Sequence, residues 1–193
     1  PEDALELFKT GMKIDREKCT KCGVCVETCP SGALEFAGEK YLGRELRDEV
    51  LKDKVFYEKS GGGVTFGGGE PMLQIEFLEE IVPKLKEENL NIAIDTSGAV
   101  PWNNYEKIIE HVDLFLYDLK TLDKQKFKKL TGGNIDLVKE NMRKISSHNV
   151  LIWVRTPIIP GFTDGEDNIR EISKFIKELQ NIERYDLLAF NNL

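Results

Sequence analysis

The cysteines of this chain are Cys19, Cys22, Cys25 and Cys29, and they read C-x2-C-x2-C-x3-C with Pro30 directly after the last. That spacing is the ligand run of a ferredoxin-type [4Fe–4S] cluster. Three thiolates on one tight loop can grip three iron corners of a cubane, and in two-cluster ferredoxins the fourth reaches the other cluster. A zinc site normally splits its ligands into two separated pairs, whereas here one compact run holds all four. Disulfides would need partners elsewhere, and the sequence offers none. All four cysteines are therefore expected to be ligands of iron–sulfur clusters rather than of zinc.

The start of the chain carries a related pattern. Pro1-Glu2-Asp3-Ala4-Leu5-Glu6 repeats as Pro30-Ser31-Gly32-Ala33-Leu34-Glu35, so both segments read P-x-x-A-L-E. In the second copy the proline follows a cluster cysteine. If the first copy is the same half-motif, a cysteine is expected immediately upstream of Pro1, and residues 1–40 are the second half of a two-cluster, ferredoxin-like insert. The competing reading is a chance match between two Ala/Leu/Glu-rich helix starts.

From residue 41 to residue 193 the pattern changes to alternating helix and strand. Leu46, Val50, Leu51, Val55 and Phe56 sit at helical spacing, and Gly61-Gly62-Gly63 stops that helix. Val64–Phe66, Ile92–Ile94, Leu114–Tyr117, Val150–Val154 and Tyr185–Leu188 are short apolar runs expected as strands. Between them lie helical patterns carrying Leu78 and Ile81, Tyr105 and Ile108, Val138 and Met142, and Ile172 and Phe175. The Lys-rich stretch Lys124–Lys129 is expected to lead into the third of these. Apolar strands separated by single helices predict a parallel sheet of the α/β class. A barrel, partial or complete, and an open doubly wound sheet both fit.

Polar residues gather where each expected strand ends: Gly67-Gly68-Gly69-Glu70, Asp95-Thr96-Ser97-Gly98, Asp118-Leu119-Lys120, Arg155 and Asn191. In parallel α/β architectures these C-terminal ends converge on one mouth where ligands bind. Asp95 or Ser97 alone would read as a helix N-cap. Five strands in succession make a site the better reading. Bare glycine backbone, two carboxylates, a lysine and an arginine suit a zwitterionic ligand. No G-K-[ST] or G-x-G-x-x-G window is present, which argues against a phosphate cradle.

Taken with Ser60-Gly61-Gly62-Gly63-Val64-Thr65-Phe66-Gly67-Gly68-Gly69-Glu70-Pro71, Tyr117-Asp118-Leu119-Lys120, Leu130-Thr131-Gly132 and Arg155-Thr156-Pro157-Ile158-Ile159-Pro160-Gly161, these segments resemble the glycyl-radical-enzyme activating enzymes of the radical S-adenosylmethionine superfamily. The resemblance runs in order along essentially the whole chain, and includes the ferredoxin-like insert of the longer members. It implies a partial parallel (β/α) barrel over residues 41–193. It also implies that Gly68, Gly69 and Glu70 offer the methionyl ammonium of S-adenosylmethionine a carbonyl edge, Gly69 foremost. Asp95, Thr96 and Asp118 would help hold that ammonium, the ribose or an adjacent monovalent cation. Lys120 would pair with the methionyl carboxylate and Arg155 would lie against the cofactor. Asn191 falls where relatives often place a histidine, and an amide there can hydrogen-bond without carrying charge.

The resemblance further implies a reaction. One electron from a cluster on a C-x3-C-x2-C loop splits the cofactor and yields a 5′-deoxyadenosyl radical, which abstracts hydrogen from a backbone glycine of a partner glycyl radical enzyme. Reduced flavodoxin or ferredoxin would supply the electron. This chain contains no C-x3-C-x2-C loop. The first strand and that loop are expected upstream of Pro1, so the fragment alone is expected to bind poorly and catalyse nothing, while its parent is an enzyme. Two rival classes are another radical S-adenosylmethionine enzyme with auxiliary clusters and a non-catalytic iron–sulfur electron carrier.

Composition narrows the field further. Apolar content of 40% and charged content of 32% over 193 residues are ordinary for a globular domain with a small appendage. A formal net charge of −7 argues against a nucleic-acid partner. No apolar run approaches membrane-spanning length. Thiolates that hold iron need a reducing compartment, so a cytoplasmic location is expected.

Overall fold

The computed structural model describes residues 3–189; the expected site residue Asn191 lies outside them. The chain divides into two compact units, Pro1–Tyr41 and Leu42–Leu193.

The first unit opens with an antiparallel hairpin of β1 (Leu5–Phe8) and β2 (Gly11–Ile14), in register from Leu5 opposite Ile14 to Phe8 opposite Gly11. The Ala4 carbonyl accepts from Asp15 N at 2.8 Å and extends the pairing by one step. The sequence pattern had suggested no strand here. Leu5-Glu6 of the first P-x-x-A-L-E copy opens β1, whereas Ala33-Leu34-Glu35 of the second forms neither helix nor strand. A one-turn helix α1 (Val24–Glu27) sits inside the cysteine run. Ala4 is the one buried apolar residue among those described in this unit, while Leu7 is 79% exposed.

The second unit has a five-stranded parallel sheet. Its order is β3 (Gly63–Phe66), β4 (Asn91–Thr96), β5 (Leu114–Asp118), β6 (Leu151–Ile158) and β7 (Ile182–Ala189). Each strand lies beside its predecessor, so the order never reverses as it must in a doubly wound sheet. Successive crossovers of one hand place their helices on one face, which is the winding of a partial barrel. The alternation of each strand follows from this. Ile92, Ile94, Phe115, Tyr117, Ile152 and Val154 are fully buried under the helices, while Ala93, Asp95, Leu116, Asp118, Trp153 and Arg155 between them are half-buried on the other face.

The covering helices are α4 (Ile75–Glu87), α7 (Ile135–Ser146) and α8 (Glu166–Lys177), whose apolar positions at helical spacing supply Ile81, Leu85, Val138, Met142, Ile145 and Ile172 to one core. The sequence pattern joined residues 46–56 into one helix. The structure breaks it into α2 (Gly43–Leu51) and α3 (Lys54–Ser60), because the Asp53 carbonyl takes the first amides of a fresh helix, from Phe56 at 2.9 Å and Tyr57 at 3.3 Å. The helix expected around Tyr105 is likewise shorter, α5 (Trp102–Glu106) followed by a 3-10 turn at Ile109–His111. The Lys-rich stretch is a helix of its own, α6 (Lys124–Thr131), capped by the Asp123 carboxylate accepting from Lys126 N and closed by Gly132 at φ +71°.

Candidate active site

Parallel strands end at one edge of the sheet, so the side chains at those ends are brought together by the register alone. Asp118 pairs with Arg155 across β5 and β6, and Asp95 sits one strand further on. Arg155 Nη2 donates to Asp95 Oδ1 at 2.5 Å and to Asp118 Oδ1 at 2.8 Å, while Arg155 Nε reaches Asp118 Oδ1 at 3.1 Å. Lys120 Nζ stands 3.7 Å from Asp118 Oδ2. Two carboxylates and two cations thus form one electrically balanced row across three strands. Burial works against the Arg155 charge, but the hydrogen bond it donates to Asp95 and the charge of Asp118 outweigh it and raise its pKa. The Arg155 side chain is 19% exposed and those of Asp95, Asp118 and Lys120 are 28–34% exposed, so the row is reachable by a ligand without being fully solvated.

Glu70 has a different place. Its Oε1 accepts from Thr96 Oγ1 at 2.8 Å, and its Oε2 from Ser97 N at 2.8 Å and Ser97 Oγ at 2.6 Å. The carboxylate therefore clamps the loop after β3 to the loop after β4. Thr96 is 2% exposed and points to the helix-covered face with Ile92 and Ile94. Its single hydroxyl hydrogen goes to Glu70, so the 3.0 Å contact with Tyr105 Oη is donated by the tyrosine. Glu70 and Thr96, read from sequence as cofactor contacts, are turned toward each other, because β4 alternates and Thr96 falls on the opposite face from Asp95. Burial holds the Tyr105 and Tyr117 hydroxyls protonated far up the pH scale.

Gly68 and Gly69 leave open space where a Cβ would stand, and Gly68 has φ +102°. Their backbone is bare beside Asp95, since Gly67 approaches the Asp95 side chain. Gly98, at φ +74°, is a packing requirement instead: a Cβ there would lie 1.9 Å from Tyr117 Oη, which donates to the Val138 carbonyl. Sequence reasoning missed Tyr105 as a polar partner, because a tyrosine at a core helical position carries no signal of where its hydroxyl ends. It also missed the Trp153–Arg184 pair on the half-buried face, with the guanidinium 4.9 Å from the ring centroid.

In the first unit, Cys19, Cys22 and Cys25 line a cavity of about 50 Å³ together with Ala4, Leu5, Ile14 and Thr20. Cys29 is not on that lining; its Sγ lies 3.6 Å from Ser31 Oγ, a hydrogen bond that pulls the thiol pKa down to about 7. No group of three or more His, Cys, Asp or Glu side chains among the described residues is gathered tightly enough for a single metal ion. Three thiols around an apolar hollow are a donor set that fits three corners of a cubane.

The profile of the Radical SAM superfamily matches residues 17–176. The chain belongs to that superfamily, among its glycyl-radical-enzyme activating members. It is 38% identical to the isethionate sulfite-lyase activating enzyme of Oleidesulfovibrio alaskensis over 185 residues, which are 94% of this chain and 59% of that protein. It is 37% identical to the trans-4-hydroxy-L-proline dehydratase activating enzyme of Clostridioides difficile, covering 93% of this chain and 70% of that one. The chain thus spans about three fifths to seven tenths of these relatives' lengths. Among solved structures, a domain of pyruvate-formate lyase-activating enzyme from Bacteroides vulgatus superposes with a TM-score of 0.63 at 29% identity, over 68% of this chain and 82% of that one. No helix among the described residues is long and apolar enough to cross a membrane.

Proposed function

We propose that the protein to which this chain belongs activates a glycyl radical enzyme, by reductive cleavage of S-adenosylmethionine and abstraction of hydrogen from a backbone glycine of that partner. The observation that carries this reading is the balanced row of Asp95, Arg155, Asp118 and Lys120 beside the bare backbone of Gly68 and Gly69. A zwitterionic ligand fits such a row, because its ammonium and carboxylate can each meet an opposite charge already held in place. The cofactor and its iron–sulfur cluster supply the hydrogen-abstracting chemistry when bound.

The residues of this chain bind and orient. Carbonyls of Gly68 and Gly69 accept from the methionyl ammonium, and Lys120 donates to the methionyl carboxylate. Asp95 and Asp118 accept from the ammonium or ribose, and a monovalent cation beside them belongs to the same reading. Arg155 holds both carboxylates in place. Glu70 and Thr96 act one step back, holding the glycine loop. Asn191 is assigned to the cofactor carboxylate on the resemblance alone. Cys19, Cys22, Cys25 and Cys29 would hold iron–sulfur clusters, and reduced flavodoxin or ferredoxin would be the electron donor of the whole protein, in the cytoplasm.

The test uses the full-length protein, reconstituted anaerobically with iron and sulfide. It is mixed in turn with pyruvate formate-lyase, isethionate sulfite-lyase and trans-4-hydroxy-L-proline dehydratase under reducing conditions. A glycyl radical signal in electron paramagnetic resonance is expected with one of them. Cofactor cleavage with no radical on any partner would move the protein to a different substrate, and no cleavage at all would make it an electron carrier.

A further inference from the structure

A protein that attacks another protein must receive it at the mouth of its barrel, and one part of that rim is built unlike the rest. The β5–β6 connection carries two helices where one would suffice. α7 covers the sheet with Val138, Met142 and Ile145, whereas α6 stands before it, four residues beyond Lys120. Of the α6 residues only Phe127 is buried, and the four lysines are exposed.

Two of those lysines have local work. Lys124 pairs with Asp136 at 2.6 Å, and Lys128 donates to the Gly132 carbonyl at 2.6 Å, closing its own helix. Lys126 and Lys129, three apart and so neighbours on the helix surface, have no carboxylate within ion-pair range among the described residues. The Lys129 ammonium lies 5.7 Å from the centroid of Phe162, an exposed ring supplied by the loop between β6 and α8. The two loops that present these groups are stitched together. Buried Asn168 donates from Nδ2 to the carbonyls of Lys120 at 3.0 Å and Thr163 at 3.1 Å, and Thr156 Oγ1 donates to the Leu119 carbonyl at 2.6 Å. The pad is held in place before anything binds.

Uncompensated ammoniums on a chain of net charge −7 mark a spot of reversed sign. Such a spot steers and registers a partner of opposite charge, with the aromatic ring as apolar anchor. We propose that Lys126, Lys129 and Phe162 form the docking pad for a carboxylate-rich patch on the protein whose glycine is activated. The proposal rests on the function stated above.

The experiment takes the full-length holoenzyme and the glycyl radical enzyme that gave a radical in the panel. In the K126E/K129E variant the KM for that partner is expected to rise at least about tenfold at low salt, as for rim charges that govern association. The parent KM should climb with ionic strength while that of the variant does not. Turnover at saturating partner and cofactor cleavage without partner should match the parent. A partner KM within twofold of the parent would overturn the pad. An unchanged partner KM with slower reduction by flavodoxin would also overturn it and assign the lysines to the electron donor. If the parent gives no radical on any partner, the functional reading has failed before the variant is made, and the pad falls with it.

Discussion

The two units of this chain are held by different physics. The Leu42–Leu193 unit buries a continuous core in which Ile81, Ile92, Phe115, Val138 and Ile152 are fully covered. In the unit before it, Ala4 alone is buried among the described apolar residues, while Leu7, Phe8, Met12 and Phe36 remain 45–79% exposed. A segment of about 40 residues cannot bury enough surface to offset its chain entropy and usually needs a metal or disulfides. No disulfide joins its cysteines, so on the proposed reading the cysteine unit depends on the clusters those cysteines would bind, whereas the barrel segment depends on its own side chains.

That contrast can be broken most forcefully by removing iron. In the reconstituted protein, a chelator is expected to leave residues 3–41 open to limited proteolysis while the barrel segment stays resistant, since ligand binding in such small units is the folding free energy. Equal survival of both units would end the contrast.

A second measurement asks whether the charged row of the barrel binds or merely supports. Hydrogen bonds to charged groups contribute about 1.5–3 kcal/mol, so Lys120→Ala in the full-length protein should weaken S-adenosylmethionine binding by roughly ten- to a hundredfold in calorimetric titration. Its unfolding temperature should stay at the parent value, because among the described residues the Lys120 ammonium meets only Asp118, at 3.7 Å. Unchanged affinity at normal iron content would remove Lys120 from the site.

The smallest effect is one of pH and belongs to the barrel alone. Tyr105 and Tyr117 have pKa values raised by burial, whereas unfolded tyrosines ionise near 10. Unfolding then releases protons, so stability is full below about pH 10 and declines as pH rises from there toward the folded values. A fall in unfolding temperature of about 2–4 °C per kcal/mol lost is expected in a domain of this size. Tyr105→Phe should flatten the decline, and an unchanged slope would show that another group releases the protons.

Much of the barrel was legible because its strands are short apolar runs between amphipathic helices. The helix breaks at Asp53 and after Glu106 were not, since competing local hydrogen bonds leave no trace in hydrophobic spacing. The β1–β2 hairpin was illegible for a related reason: Leu5–Phe8 and Gly11–Ile14 are exposed or half-exposed and show no buried face. At the site, Asp95, Asp118, Lys120 and Arg155 were readable from where each falls at a strand end. The inward turn of Glu70 and Thr96 was not, because it depends on which face of β4 the threonine occupies.

By itself the sequence determined the local chemistry: four thiols on one run, glycines where bare backbone is needed, and charges at the ends of apolar strands. These follow from side-chain type and spacing, which are one-dimensional properties. Only the tertiary structure decided the winding of the sheet and which charge meets which. Arg155 lies 60 residues from Asp95 and 37 from Asp118, and parallel register alone places its guanidinium on both.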